Sequence, residues 1–298
     1  MSTGTLKFQL IGTGLAFFSA ASFALNMVLA SFSYGAGANI HALNLARGEC
    51  FLLVLLSINL LTARSLKLPL RVVLNCYGVG LLLAIEMYVL LAAVQSISVG
   101  LAVLLFFTYP ILIAIYRWLI GAEPFSLRSL LLMLVAFGGL VFVLLNATVT
   151  PALSGVLFSM LAAVVMAVML VSSEKQLNNH DQTVVLFHVL SMVGLLMLVI
   201  VMLVADPVWP ADGVGWLGFA GSTFFYVTAT FSLFMAVSLI GPLRMGIIDN
   251  TAPVWAMLFG YLILGETFTV AQTIGALLVV VAVMMLQGRH TSGVDPQV

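Results

Sequence analysis

Charge is what this sequence lacks most. Only 7% of its 298 residues are charged, ten Lys and Arg against ten Asp and Glu. A soluble domain carries about a quarter of its residues as charged groups, so a chain this poor in them cannot clothe a surface in water. With 63% hydrophobic residues, its solvent is lipid. The balanced, scattered cations leave no patch that could track a phosphate backbone, which excludes nucleic acid as a partner. Cysteine is scarce too: Cys50 and Cys76 both fall in apolar runs, where buried thiols are expected rather than a disulfide framework. The four histidines, His41, His180, His188 and His290, are dispersed, and no metal-ligand cluster follows. GxSxG, HExxH and GxxxxGK[ST] patterns are all missing, so neither an enzyme nor an ATP-driven pump is expected, and no cofactor is implied.

What is present is a succession of apolar runs. A hydrocarbon core of about 30 Å takes roughly 20 residues of helix, and every backbone polar group within it must be satisfied internally. The expected fold is all-α and integral to the membrane, with ten transmembrane helices near 8–33, 41–62, 70–94, 98–119, 127–146, 152–173, 183–204, 214–238, 243–264 and 269–287. Turn residues punctuate them, among them Gly35 to Gly37, Arg64 to Pro69, Asn178 to Asp181 and Asp206 to Pro210. The N-terminal stretch with Ser19, Ala20 and Ala21 reads as a first span rather than a signal peptide.

Nine cations (Lys7, Arg64, Lys67, Arg71, Arg117, Arg128, Lys175, Arg244 and Arg289) fall on one side of a ten-span arrangement, against Arg47 alone on the other. Cations near helix ends stay cytoplasmic, so both termini are expected in the cytoplasm, with the polar tail 289–298.

A shift of 143 residues superposes Gly12 on Gly155, Ile97 on Ile240, Thr108 on Thr251, Pro110 on Pro253 and Glu123 on Glu266. The chain therefore divides into a first five-helix repeat, 1–147, and a second, 148–288. Five is odd, so the second copy must enter the bilayer upside down, the inverted-repeat plan of many secondary transporters.

The paired motif is Tyr109-Pro110 through Gly121-Ala122-Glu123-Pro124-Phe125, and Ala252-Pro253 through Leu264-Gly265-Glu266-Thr267-Phe268. On these residues, and over nearly the whole chain, the sequence resembles the EamA-like members of the drug/metabolite transporter superfamily. The resemblance implies an inner-membrane secondary transporter exporting amino acids or related metabolites through a central cavity between the third, fourth, eighth and ninth helices. Carriage of drugs, nucleobases or sugar phosphates, or a receptor or channel role, stays open as an alternative. The Gly-Ala-Glu of the first repeat departs from the commoner Gly-Glu.

An ionisable group inside the bilayer is a functional candidate by default. Glu86 stands fifteen residues beyond Arg71, about 22 Å along the third helix. It reads either as an ammonium or proton site or as a protonated carboxyl bonded to Tyr88 or Tyr226. Asp249 reads foremost as a cap on a restarting helix or a partner of Arg244, and otherwise as a gating or substrate contact. His41, Asn44 and Arg47 form one polar stripe, with Arg47 expected to snorkel to the outer headgroups or else to attract a substrate carboxylate. Ser19, Ser22 and Asn26 form another, as glue or pore lining. Pro110 and Pro253 are the expected hinges. Tyr109, Trp255, Phe106, Phe107, Phe225 and Tyr226 are candidates to stack on a substrate or its ammonium. Expected partners are a small-molecule substrate and membrane lipid, with protons an open question.

Overall fold

Long runs of Leu, Val, Ala and Met leave a lipid-embedded backbone one way to satisfy its own polar groups, and the chain takes it. The computed structural model describes residues 3–119, 151–203, 206–249 and 251–287, with isolated positions between 127 and 139. All regular structure among them is helical. The expected fifth span (127–146), Glu123, Asn250 and the tail 289–298 lie wholly or largely outside the described residues.

Helices α1 (Thr3–Gly35), α2 (Ile40–Leu61) and α3 (Leu70–Ser96) are followed by two short helices, α4 (Val99–Phe106) and α5 (Tyr109–Leu119). Next come α6 (Leu153–Asn179), α7 (Gln182–Leu203), α8 (Gly213–Asp249), α9 (Ala252–Phe259), a π-helical turn over Gly260–Leu264, and α10 (Val270–Gln287). Among the described residues six stretches are long and apolar enough to cross a membrane: Gln9–Gly35, Ile40–Leu61, Leu70–Ser96, Leu153–Ser173, Gln182–Leu203 and Gly213–Ile240. Shorter apolar helices cover Leu101–Ile113, Val254–Leu264 and Val270–Ala282. The protein is a multi-pass membrane protein.

Local signals account for several boundaries. Asn39 caps α2 by accepting from the Ala42 N–H at 3.0 Å, and Ser98 caps α4 through the Leu101 N–H at 3.4 Å. The turn before α2 places Gly37 at φ 87°, and the π turn ends at Gly265 with φ 68°, both in the left-handed region glycine enters without penalty.

The expected fourth and ninth spans are each broken just before their proline. Proline donates no backbone hydrogen bond and disfavours helix in the residue ahead of it. The break falls at Phe107-Thr108 in one and ends at Thr251 in the other. Thr108 Oγ1 donates to the Leu105 carbonyl and Thr251 Oγ1 to the Ile248 carbonyl, both at 2.8 Å. One boundary differs from expectation: α8 continues through Gly241-Pro242 to Asp249, joining the eighth span to the start of the ninth. A single interior proline kinks a helix without having to end it when neighbours satisfy the freed carbonyl.

Helix α1 packs along α8 and α3 along α6; α2 packs on α7, and α4 on α9. Close approach depends on glycine. A Cβ on Gly12 would sit 2.5 Å from Ile240 Cγ2, one on Gly155 would sit 2.7 Å from Ile97 Cγ2, and one on Gly48 would touch Met197 at 3.3 Å. Both ends of the α2–α7 pair are clasped. At one, Arg64 bridges Asp181 at 2.6 Å and donates to Thr183 Oγ1 at 2.9 Å, while Thr183 donates to Asn59 at 3.2 Å. At the other, Asn39 donates to the Asp206 carbonyl at 2.8 Å and accepts from the Val208 N–H at 3.1 Å.

Candidate functional site

The interior polar groups of α1, α2, α3, α5 and α8 gather at the middle of the bundle. A cavity of about 30 Å³ lies there, lined by Ser19, Phe23, Glu86, Tyr226 and Asp249 together with Leu83, Phe106, Met166, Met169 and others. That is room for one or two waters, so an amino acid can enter only if the helices part.

Glu86 is 3% exposed. Its α3 position puts it on the cavity wall with Tyr226. Tyr88, one of its two expected partners, turns away and meets His41 at 3.4 Å. Across the cavity, Asp249 is also 3% exposed and accepts a hydrogen bond from Tyr109 Oη at 3.0 Å, an α5-to-α8 contact between residues 140 apart in sequence. The capping reading of Asp249 is corrected here: Thr251, not Asp249, occupies the cap position of α9, and Asp249 is the last residue of α8. The Arg244 side chain is outside the described residues. Ser19 Oγ donates to the Ala229 carbonyl at 3.0 Å, tying α1 to α8 at the cavity's edge.

Arg47 overturns the snorkelling expectation. It is 1% exposed, the largest of the fully buried side chains. The reason is the partner set that α1 and α8 bring to it. Its Nη2 donates to Asn26 Oδ1 and, at 2.5 Å, to Ser222 Oγ, and its guanidinium carbon lies 4.8 Å from the centre of the Tyr226 ring. With hydrogen bonds and a π face inside the bundle, the cation has no need to reach the headgroups. Asn44, one turn away, is completely buried, whereas His41 is half-buried.

The remaining candidates disperse. Phe106 lines the cavity and packs on Tyr109 and Phe107, while Trp255 stacks on Phe259 at 5.9 Å and does not line the cavity. Phe225 packs on Phe224. The backbone breaks before Pro110 and Pro253 are as described, but their side chains are outside the described residues. Cys76 is buried as expected; Cys50 instead faces outward from α2. Among the described residues no three His, Cys, Asp or Glu side chains gather as for a metal ion.

Three features escaped sequence reading. Met166, Met169 and Leu83 wall the cavity, yet nothing but helical spacing separates them from lipid-facing neighbours. The Arg64–Asp181 clasp sits in segments that read only as loops; opposite charges in them were the available signal. Partial burial pushes the Asp181 carboxyl up, but hydrogen bonds from Thr183 and Arg64 and the guanidinium charge outweigh it and leave it below its ordinary value. Glu266, in the loop after the π turn, accepts from the Val99 N–H at the start of α4. Burial raises its carboxyl against that bond.

Residues 153–287 match the EamA-like transporter family. That family is part of the drug/metabolite transporter superfamily, so the resemblance drawn from the paired motifs stands, with the match lying on the second half of the chain. Among solved structures, one described as the crystal structure of a protein superposes with a TM-score of 0.69, covering 95% of this chain and 99% of that chain at 20% identity. At that identity the likeness shows the fold. A search among curated proteins finds no match. The likeness of residues 153–287 is to a family of membrane transporters of small molecules.

Proposed function

We propose that the protein is a secondary transporter of the inner membrane that exports small amino acids and their analogues by alternating access. In this reading ten spans form two inverted five-helix repeats, and both termini lie in the cytoplasm. The observation that carries it is the cavity, where carboxylates from the two halves, Glu86 and Asp249, face one space at mid-bundle. A buried acid is costly in a membrane and is retained where it binds or moves charge. Glu86 and Asp249 are the candidate sites for a substrate ammonium or a coupling proton, and Phe23, Phe106 and Tyr226 the apolar surface for the rest of the substrate.

Pairing of the helices supports the inverted arrangement. Exchanging each element for its counterpart 143 residues away turns α1 on α8 into α6 on α3, α1 on α9 into α6 on α5, and α2 on α8 into α7 on α3, all of which are observed. It also turns the Asn39 clasp into the Arg64 clasp, at the opposite end of α2. Two halves related in this way can trade conformations and open the cavity to each side in turn. A sugar phosphate would call for converging cations around the dianion; among the described side chains Arg47 is the one cation buried beside the cavity-lining Tyr226, which disfavours that branch.

The test is uptake and counterflow of a labelled amino-acid panel in proteoliposomes, with and without a pH gradient. Saturable counterflow, accelerated by unlabelled substrate on the opposite side, is the expected result. Solute movement without saturation would indicate a channel, and no movement of any solute a receptor; either ends the carrier reading.

A further inference from the structure

Around Arg47, which lies over the Tyr226 ring, are buried polar atoms with nothing to bond. Arg47 Nε, both amide atoms of Asn44, the Tyr34 hydroxyl and the Thr223 hydroxyl are all buried without a hydrogen-bond partner. Three of these groups belong together. Asn44 and Arg47 are one turn apart on α2, and Tyr34 and Tyr226 lie within electrostatic reach of the Arg47 guanidinium. Buried polar atoms are nearly always satisfied, and a cluster left open calls for an explanation. Here the cluster is centred on a buried cation. Among the described residues the one carboxylate–cation pair within 4.0 Å is Arg64–Asp181, at the surface. Arg47 therefore has no carboxylate within 4.0 Å among the described residues, and the hydrogen bonds it makes go to the neutral Asn26 and Ser222.

We infer that Arg47, Asn44 and Tyr34 form the receiving site for the carboxylate of the transported molecule, one wall of Tyr226 away from the cavity. The inference deepens, and rests on, the carrier reading above. A carboxylate is acceptor-only and planar. It matches a guanidinium whose Nε is open, with the Asn44 amide and a tyrosine hydroxyl as further donors. Tyr226 both covers the guanidinium and lines the cavity, so a turn of its side chain would open the guanidinium to the cavity. Glu86, on the cavity side, then faces the other end of the same molecule. The two poles select zwitterions: the carboxylate goes to Arg47 and the ammonium to Glu86, with an apolar side chain against Phe23, Leu83 and Phe106. A decarboxylated amine or an amino-acid amide leaves the buried cation without its anion. Such a loss weighs heavily because the alternative is an unsatisfied charge in a dry site.

The test uses four near-isosteric compounds against the full-length protein in proteoliposomes: leucine, leucine amide, isopentylamine and 4-methylpentanoate, each competing with labelled leucine counterflow. Leucine should compete at least tenfold better than the amide or the amine. Asn44→Ala should weaken leucine at least threefold and leave the amide unchanged. Equal competition by leucine and its amide overturns the carboxylate site while leaving the carrier intact. Should leucine not be exchanged at all, the amino-acid reading fails separately. Thermal protection of the purified protein by 4-methylpentanoate against 4-methylpentanamide then judges Arg47 alone. Protection by the acid only, lost in Arg47→Gln, supports the site; equal protection, or none, overturns it. If Arg47→Gln does not fold, Asn44→Ala takes its place in that comparison.

Discussion

Gly12 lies against Ile240 as Gly155 lies against Ile97. A Cβ on Gly12 would be 2.5 Å from Ile240 Cγ2 and 3.0 Å from Leu239 Cβ; one on Gly155 would be 2.7 Å from Ile97 Cγ2 and 3.0 Å from Ser96 Cβ. Every one of these residues is 143 positions from its counterpart. Both contacts hold the start of a long helix (α1 or α6) against a chain segment of the other half. Gly12→Ala should therefore destabilise the purified protein by about 1–3 kcal/mol, the usual range for overpacking. Adding Ile240→Ala should recover part of that loss. Gly155→Ala with Ile97→Ala should behave alike, read by thermal unfolding in detergent. Additive losses in either double variant would mean the glycine is kept for some reason other than contact.

The sequence carried most of the fold because lipid makes length and hydropathy sufficient: a span must be helical and long enough. It was weakest where sidedness within the bundle decides. Arg47 and Glu49 are two residues apart and look equally misplaced in an apolar run, yet only Arg47 faces Asn26 and Ser222. That distinction depends on how α1 and α8 rotate against α2, which periodicity in an all-apolar helix cannot encode. The same limit hid the outward position of Cys50 and the lining role of Met166. The continuation of α8 through Pro242 was missed because Gly-Pro reads locally as a stop, while the helix is supported by its neighbours.

Tyr109 and Asp249 make the cavity's direct bond between α5 and α8. Tyr109→Phe removes the donor and keeps the ring, so the stability cost should stay near the 0.5–1.5 kcal/mol of a neutral hydrogen bond, or about twice that if the carboxyl is ionised. Asp249→Asn keeps an acceptor for Tyr109 but cannot carry a proton or a charge. We expect it to fold with nearly normal thermal stability and to lose at least tenfold in counterflow. Full activity in Asp249→Asn would reduce Asp249 to a packing role.

Glu86 is the carboxylate whose removal should separate coupling from transport. Glu86→Gln preserves shape and can still accept and donate hydrogen bonds. If Glu86 carries the coupling proton, the variant should exchange substrate at equilibrium but show no stimulation by a pH gradient. If it binds the ammonium, exchange itself should fall at least tenfold. Unchanged exchange with unchanged response to the gradient would remove Glu86 from the mechanism.

The Arg64–Asp181 clasp should contribute to stability only above a low pH. The folded-state carboxyl of Asp181 sits below its ordinary value of 3.8, so protonation favours the unfolded chain. The contribution is fully present above about pH 4 and disappears as pH falls through the lower folded value. The side chains are 40% and 45% exposed, which limits the pair to about 0.2–1 kcal/mol and makes it sensitive to salt. A double-mutant cycle with Arg64→Met and Asp181→Asn, run at pH 7 and at successively lower pH below 3.8, should show coupling that declines as pH falls. Coupling that does not decline at all would assign the clasp to Thr183 and Asn59 instead.

Membrane sidedness follows from the same clasps, because residues that touch across a loop must emerge on one face. Lys67 neighbours the Arg64 clasp in sequence and His180 adjoins Asp181, whereas Ala38 and Val208 flank the Asn39 clasp at the other end of α2. Single cysteines at these four positions, in a chain carrying Cys50→Ser and Cys76→Ala, can be labelled in intact cells with an impermeant maleimide. The cation distribution puts Lys67 and His180 inside and Ala38 and Val208 outside. Labelling should therefore reach the last two in intact cells and the first two only after permeabilisation. A five-span unit followed by its upside-down copy requires 67 and 180 to agree and 38 and 208 to agree. A parallel copy, or a helix more or fewer between α2 and α6, would split both pairs.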